Sequence, residues 1–432
     1  MFAYDEEALT KPGVIRTMYD PSAGTGGMLA AGVEHLKSIN KDADLHLFAQ
    51  EINEESYAMC LADTLLKGYD PNNIKLGNTL TEDKLPGRNF DYVIANPPYG
   101  VSWRKSENEV KKEHNDLGMD GRFGAGLPRI TDGSLLFVQH MVSKLKPEGG
   151  RLAVILSASP LYTGAAGSGE SNVRKWLLEN DLVESIIGLP NDLFYNTGIG
   201  TFLWIISNKK PEFRKGKVQL INATKKFEKM RKSLGEKSNQ ISKEQIKEIT
   251  DLYVDFEETE DSKIYDNEYF GYFRISIQNP LVATLKNNKE IIEEIKEKIS
   301  TKNSKYLLDI VSIISNTREF GINKVIQELE DNKIKKADVK KLISVIAKRD
   351  EENGEVVYFN GEMFMDTEAS DSENIPFKKL INKNEYIENY MKNKVYQYSP
   401  YAKWEEADVK LGYEIGFNKE FYKYEPSLIS AD

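Results

Sequence analysis

Residues 17–39 read TMYDPSAGTGGMLAAGVEHLKSI. Thr17–Tyr19 is short and mostly apolar, as a buried strand is. Asp20–Gly27 is a turn that contains Gly24, Gly26 and Gly27, and Gly27–Ile39 carries apolar residues at helical spacing. A strand that runs through a glycine turn into a helix opens a βαβ unit, the element from which helix-covered parallel sheets are built.

The same alternation continues outward from this stretch. Further strands are expected at Leu45–Ala49, Ile74–Leu76, Tyr92–Ala95, Arg151–Leu156, Val183–Gly188 and Thr201–Ser207. Helical patterns fill the gaps at Ser56–Lys67, Ser134–Leu145 and Asn172–Glu179, and Pro147 with Gly149 and Gly150 stops the third helix. The fold class is therefore α/β. Beyond Ser207 the composition changes. Lys217–Ala223 reads as a strand, KKFEKMRKSLGEKSNQIS as a basic loop, SKEQIKEITDLYVDF as a helix capped by Ser242, and Tyr272–Ile277 as a strand. Leu281–Arg349 is helical and rich in lysine and glutamate, with Ile291, Ile295 and Ile299 on one face and a helical hairpin around Asp331–Asp338. Its charges suit a solvated outer face. Asp366–Asn374 reads as an acidic linker. These changes place domain boundaries at 1–210, 211–280, 281–365 and 366–432.

Composition limits the function. The chain has 432 residues, 58 basic and 68 acidic side chains and a net charge of −10, so general electrostatic binding of nucleic acid is not expected. A local exception is Lys209–Lys237, with eleven Lys/Arg against three Glu. No apolar run is long enough for a membrane helix, and Met1–Gly13 lacks a signal pattern, so a cytoplasmic protein is expected. Cys60 is the single cysteine, and four scattered histidines lack the spacing of a zinc site, so no structural metal is expected.

Four stretches carry chemistry. Gly24, Gly26 and Gly27 offer a turn without Cβ atoms, where a ligand can lie against backbone at a helix N-terminus. The turn is not GxGxxG, because Leu29 stands where a third glycine would, and it lacks the Gly-Lys-Ser/Thr of a phosphate loop, which argues against ATP. Glu51 ends the second strand, where an acid suits the hydroxyls of a ribose. Asn78 and Thr79 follow the third strand, and a side-chain amide there suits an adenine edge. Asn96-Pro97-Pro98-Tyr99 ends the strand Asp91–Ala95, and its prolines fix a stiff turn that presents a polar side chain, a carbonyl and an aromatic ring at the carboxyl edge of the sheet.

With these motifs the chain resembles amino-group methyltransferases that use S-adenosyl-L-methionine. More closely, it resembles the modification subunit of type I restriction-modification systems, which methylates adenine N6 in DNA. The resemblance spans nearly the whole chain: DPSAGTGGML, NPPYG, TDGSLLFVQHMVSKLKPEGGRLAVIL, GLPNDLFYNTGIGTFLWII, KVQLINATKKFEKMRKSLGEKSNQIS, SENIP and LGYEIGFNKEFYKY. It implies a Rossmann-like methyltransferase sheet with helices on both faces, plus a helical C-terminal region. It also implies that Asp20, Ala23, Gly24, Thr25, Gly26 and Gly27 hold the methionine end of the cofactor, that Glu51 takes the ribose and that Asn78 or Thr79 lies by the adenine. Asn96 and the carbonyl of Pro97 would accept the N6 hydrogens of a flipped adenine, with Pro98 stiffening the turn and Tyr99 stacking on the base.

The basic loop residues Lys225, Lys226, Lys229, Arg231, Lys232 and Lys237 are expected to meet DNA phosphates. In the family a separate specificity subunit chooses the double-stranded DNA sequence, and partners also include a second modification subunit and a restriction nuclease subunit. The aromatic tail Tyr413, Phe417, Phe421, Tyr422 and Tyr424 is expected to form a partner surface. Relatives carry a helical domain and a Tyr/Phe-Thr-Pro segment before the glycine turn, where this chain has only Met1–Met18, so weak cofactor binding by the chain alone is expected. NPPY also occurs in methyltransferases of protein glutamine and of RNA, an alternative that the long helical C-terminal half and LGYEIGF disfavour. A non-catalytic assembly subunit is a second alternative, and cofactor binding separates it from the enzymes.

Overall fold

The computed structural model describes residues 2, 9–195, 197–286, 294–295, 297–299, 304–379 and 382–422. Ile291 and Tyr424 lie outside the described residues. The chain forms two compact units, one made of Met1–Phe273, Pro376–Lys379 and Lys410–Asp432, the other of Arg274–Ile375 and Leu380–Val409.

The first unit is built on a nine-stranded sheet. Its elements in order are β1 (Ile15–Asp20), α1 (Gly27–Ile39), β2 (Asp44–Glu51), α2 (Glu54–Leu66), β3 (Ile74–Leu76), β4 (Tyr92–Ala95), α3 (Glu107–Leu117), α4 (Ser134–Ser143), β5 (Arg151–Ser157), α5 (Gly169–Glu179), β6 (Val183–Gly188), β7 (Thr201–Ser207), β8 (Lys217–Asn222), β9 (Glu228–Leu234), β10 (Lys237–Gln240), α6 (Lys243–Asp255) and β11 (Ser262–Asp266). The strand order is β11-β8-β6-β7-β5-β4-β1-β2-β3. Seven strands expected from the alternation are all present, and β3, β4, β6 and β7 have the expected bounds.

The alternation works because the central strands are buried on both faces. Met18, Leu47 and Tyr92 point into the cluster that holds Leu29, Val33, Leu36 and Cys60 of α1 and α2. Their neighbours Tyr19, Phe48 and Val93 point into the opposite cluster with Leu135, Val138 and Leu177 of α4 and α5. Helices thus cover both faces. The sheet is mixed, however: β7 runs antiparallel to β5 and β6, and β11 antiparallel to β8. Among the described residues no helix separates β6 from β7, and a connection without a crossover returns antiparallel. The sheet reverses its order between β1 and β4, and the crevice for a ligand in such a sheet lies at the carboxyl ends beside that point.

Several local expectations are corrected. The basic loop is an antiparallel hairpin, β9 with β10, whose exposed polar residues hide the alternation that marks a strand. Asp366 is not in a free linker, because it accepts a bidentate pair from Arg349 at 2.6 and 2.7 Å, and Asp371–Pro376 is a strand. Tyr413 and Phe417, expected at a partner surface, are 1% and 4% exposed and belong to the core of the first unit. Phe421 is partly buried against that core, and Tyr422 is exposed. The capping box expected at Ser242 is present, with Gln245 returning the bond.

The second unit contains β12 residues beyond Phe273 (the strand is Gly271–Ile277), then β13 (Val282–Leu285), α7 (Ser304–Thr317), α8 (Ile322–Asp331), α9 (Lys336–Ile346), β14 (Ala347–Arg349) and β15 (Glu355–Val356). Ile295 and Ile299 are buried in its core with Val325, Leu329, Val339 and Leu342. The helical hairpin expected around Asp331–Asp338 is α8 followed by α9.

Candidate active site

Four connections leave the carboxyl ends of β1, β2, β3 and β4, and hydrogen bonds tie the first three together. Gly24 N–H donates to Oε2 of Glu51 at 2.7 Å, and Asn53 N–H donates to Oε1 at 2.7 Å. Ala23 N–H reaches the carbonyl of Gln50 at 3.2 Å. Thr79 donates to the carbonyl of Pro21 at 2.6 Å and is buried. Asn78 donates through Nδ2 to Ser106 and accepts through Oδ1 from Leu80 N–H. Asp20, Glu51, Asn78 and Thr79, distant in sequence, therefore stand on linked loops around the glycine turn.

That turn has the backbone its glycines permit. Gly24 and Gly26 have φ of 54° and 84°, in the left-handed region. A Cβ at Gly26 would meet Sγ of Cys60 at 2.9 Å, so Gly26 is required by packing under the turn. A Cβ at Gly24 or Gly27 would have nothing within 4 Å, so the space above these two is open. Thr25 and Gly27 are exposed. The first N–H groups of α1 have no intrahelical acceptor and form a pole of positive potential. Asp20 is 1% exposed and accepts from Ser22 N–H. Burial, aided by the Glu51 carboxylate, raises its pKa to about 7.

The fourth connection is Asn96–Gly100. Pro97 is buried and Pro98 exposed, which fixes one end of the turn in the core. The hydroxyl of Tyr99 donates a hydrogen bond to Oδ1 of Asn96. Burial raises the Tyr99 pKa, so the hydroxyl remains a donor at neutral pH. On its other side the Tyr99 ring meets Phe194 edge-to-face, centroids 6.3 Å apart.

A family model described as N-6 DNA Methylase matches residues 7–272. The chain belongs to this family. Among curated relatives of this chain, the type I restriction enzyme MjaVII methylase subunit of Methanocaldococcus jannaschii is 31% identical over 313 residues, 70% of this chain and 52% of that protein. The MjaIX methylase subunit of the same organism is 30% identical over 247 residues, 57% of this chain and 42% of that protein. A crystal structure of the type I restriction-modification system methyltransferase subunit from Streptococcus thermophilus superposes with a TM-score of 0.51 at 26% identity, covering 62% of this chain and 55% of that one. The chain thus spans about half the length of the relatives it matches. Among the described residues no helix is long and apolar enough to cross a membrane.

Three features of this fold are not legible in the sequence. Phe194 lies in the quoted run GLPNDLFYNTGIG, but its pairing with Tyr99 joins residues on separate loops. Arg122 stands behind Thr79: it donates to the carbonyls of Thr79 (2.7 Å) and Leu80 (3.3 Å) and is clamped by Glu113 at 2.6–3.1 Å. The hairpin β9–β10 is fastened to the Phe194 loop. Ser238 and Asn239 N–H donate to the carbonyl of Asp192, Glu236 N–H donates to that of Tyr195, and Lys237 Nζ lies 5.1 Å from the Tyr195 ring centroid. Of the basic candidates, Lys225, Lys229, Arg231 and Lys232 are exposed. Lys226 is instead paired within its own unit, with Asp261 at 3.2 Å and Glu248 at 3.4 Å.

Proposed function

We propose that this chain is the adenine-N6 DNA methyltransferase subunit of a type I restriction-modification system, working in the cytoplasm with S-adenosyl-L-methionine. The observation that carries this reading is the convergence of Asp20, the glycine turn, Glu51, Thr79 and Asn96-Pro97-Pro98-Tyr99 at the carboxyl edge, beside the point where the strand order reverses. The residues fit the cofactor: the open space over Gly24 and Gly27 admits a ligand against backbone, and two carboxylates face a molecule that bears an ammonium and a diol. When bound, the cofactor supplies an electrophilic methyl group on a sulfonium.

The chain's own residues do the rest. Asp20 accepts from the ammonium of the methionine end, and Glu51 from the ribose hydroxyls. Both Glu51 oxygens already take one backbone N–H, and each retains a lone pair for a hydroxyl. The side chains of Asn78 and Thr79 are engaged within the fold, so they form the wall against the adenine ring of the cofactor. Asn96 Oδ1 and the carbonyl of Pro97 accept the amino hydrogens of the target adenine. Its nitrogen lone pair is delocalised into the ring, and two acceptors on its hydrogens favour a tetrahedral nitrogen that presents the lone pair to the methyl group. Tyr99 stacks on the flipped base.

Lys225, Lys229, Arg231 and Lys232 of the hairpin meet phosphates of the duplex beside that base, while a specificity subunit selects the sequence. A second copy of this chain and a nuclease subunit complete the assembly. The test is tritiated methyl transfer to duplex DNA by the chain co-purified with neighbouring subunits, with N6-methyladenine identified in the product. Asn96→Ala abolishes transfer and leaves cofactor binding nearly intact. Retained transfer in that variant refutes the assignment.

A further inference from the structure

The second unit lies beyond the residues that the N-6 DNA methylase model matches, and its charge is unevenly placed. From Lys333 to Arg349 the chain has seven basic residues and one acid, within a chain whose net charge is −10. Lys333, Lys335, Lys336, Lys340, Lys341 and Lys348 are all exposed, and among the described residues none is in an ion pair. The exception, Arg349, is held by Asp366 and Glu368.

The fold creates this segregation. Helix α8 ends with Lys333 N–H on the carbonyl of Glu330 and Ile334 N–H on that of Leu329, and Lys333 has a φ of 59°. This is a Schellman cap, which turns the chain within four residues and buries Ile334. Val339, Leu342, Ile343, Val345 and Ile346 then face the core, so the polar arc of α9 contains only Lys336, Ala337, Lys340, Lys341 and Ser344. The single acid of α9, Asp338, is half-buried and accepts from the hydroxyl of Tyr306 at 2.9 Å. Two helices joined by a four-residue turn, the second presenting a positive face, have the connectivity of a helix–turn–helix.

We propose that this lysine face of α9 binds the phosphate backbone of duplex DNA, as a contact surface additional to the hairpin of the first unit. Charge complementarity selects the occupant. From Lys336 to Ser344 the arc runs about 12 Å along the helix axis, against which a duplex presents a charge about every 1.7 Å. Six exposed lysines without an ion pair among the described residues, on a protein with an acidic total, are compensated by such a polyanion, which is also what this family acts on. The inference rests on the reading of the chain as a DNA-modifying enzyme.

The test compares the full chain with a Lys336→Gln, Lys340→Gln, Lys341→Gln variant. All three positions are exposed, and equal thermal unfolding midpoints verify the fold. Affinity for a fluorescein-labelled duplex of mixed sequence is followed by anisotropy over a salt series. The variant is expected to bind about tenfold or more weakly at low salt, with the slope of log K against log salt shallower by about 2.7. A wild-type chain that binds duplex and a variant that equals it in affinity and slope overturn this inference alone. A wild-type chain without salt-dependent affinity overturns it together with the DNA reading. A variant that keeps DNA binding and loses only binding to polyglutamate overturns it in favour of an acidic protein.

Discussion

The hydroxyl of Tyr99 donates to Oδ1 of Asn96, three residues back across the Pro97-Pro98 turn. The atom proposed to accept from the target amino group is thus already an acceptor; its second lone pair is left for the amino hydrogen, and in the proposed reaction Tyr99 gives up this bond as its ring moves onto the flipped base. An exchange of this kind costs about 1 kcal/mol, roughly fivefold in binding. Tyr99→Phe keeps the ring and frees Asn96, so the Michaelis constant for DNA is expected to fall about fivefold with kcat little changed. Tyr99→Ala removes the ring and is expected to raise it. Steady-state methylation kinetics decide, and an increase in KM for Tyr99→Phe contradicts the exchange.

The glycines of the turn separate packing from ligand space. Gly26 sits at φ 84° over Sγ of Cys60, whereas Gly27 begins α1 in ordinary helical geometry with open space beside it. Gly26→Val is expected to lower stability and cofactor binding together. Gly27→Val is expected to leave the unfolding midpoint within a degree or two and still weaken the cofactor by about tenfold or more, because only the ligand meets the new side chain. Calorimetric titration and thermal unfolding of both variants give the answer, and unchanged affinity in Gly27→Val removes the turn from the site.

These residues show what a sequence exposes. The glycine turn, Glu51 and NPPY are local patterns at strand ends, and a strand buried on both faces is recognisable from its own residues, as β4, β6 and β7 are. Contacts between separate loops leave no local trace. Nothing around Phe194 announces Tyr99, and nothing around Arg122 announces Thr79. The hairpin β9–β10 escaped because β9 is almost wholly exposed and β10 is made of polar residues, so both lack the apolar alternation that reveals a strand. Tyr413 and Phe417 misled for the opposite reason, since aromatic residues suit an interface and a core alike. The return of the chain into the first unit at Lys410, after an intervening second unit, is a long-range event that composition does not encode.

Asp20 gives a pH dependence with a definite sign. Its pKa in the folded protein is about 7, raised from 3.8 chiefly by burial. A carboxyl raised in this way contributes stability that is complete below the unfolded value and is lost as pH rises through about 7. The cofactor-free protein should therefore lose stability from this group progressively between about pH 4 and pH 7, and level off above that. Cofactor affinity runs the other way: the ammonium needs the carboxylate, so affinity rises through the same interval and levels above it, with proton release on binding near neutrality. Calorimetry in two buffers of different ionisation enthalpy measures the proton. Absence of release in wild type, or release that persists in Asp20→Asn, counts against Asp20 as the acceptor.

Arg174 is the last case, and it concerns stability alone. The side chain is fully buried at 0% exposure, and it donates to the carbonyls of Tyr413 (2.6 Å), Pro160 (3.0 Å) and Thr163 (2.9 Å). Ser171 on the same helix accepts from Tyr413 N–H at 3.0 Å, so α5 fastens the returning segment Lys410–Tyr413 to the core. A guanidinium alone has the fork of donors that reaches these separated acceptors. Arg174→Leu fills much of the volume and leaves the carbonyls unsatisfied in the interior, at about 1 kcal/mol or more for each, so a loss of roughly 3 kcal/mol is expected. Arg174→Lys recovers one acceptor and should fall between. Urea unfolding followed by tryptophan fluorescence reports chiefly the first unit, which holds Trp103, Trp176 and Trp204, the last buried in the same core. A leucine variant as stable as wild type would mean that the segment is held by Phe417 and its apolar neighbours, and that the arginine merely fills a space beside it.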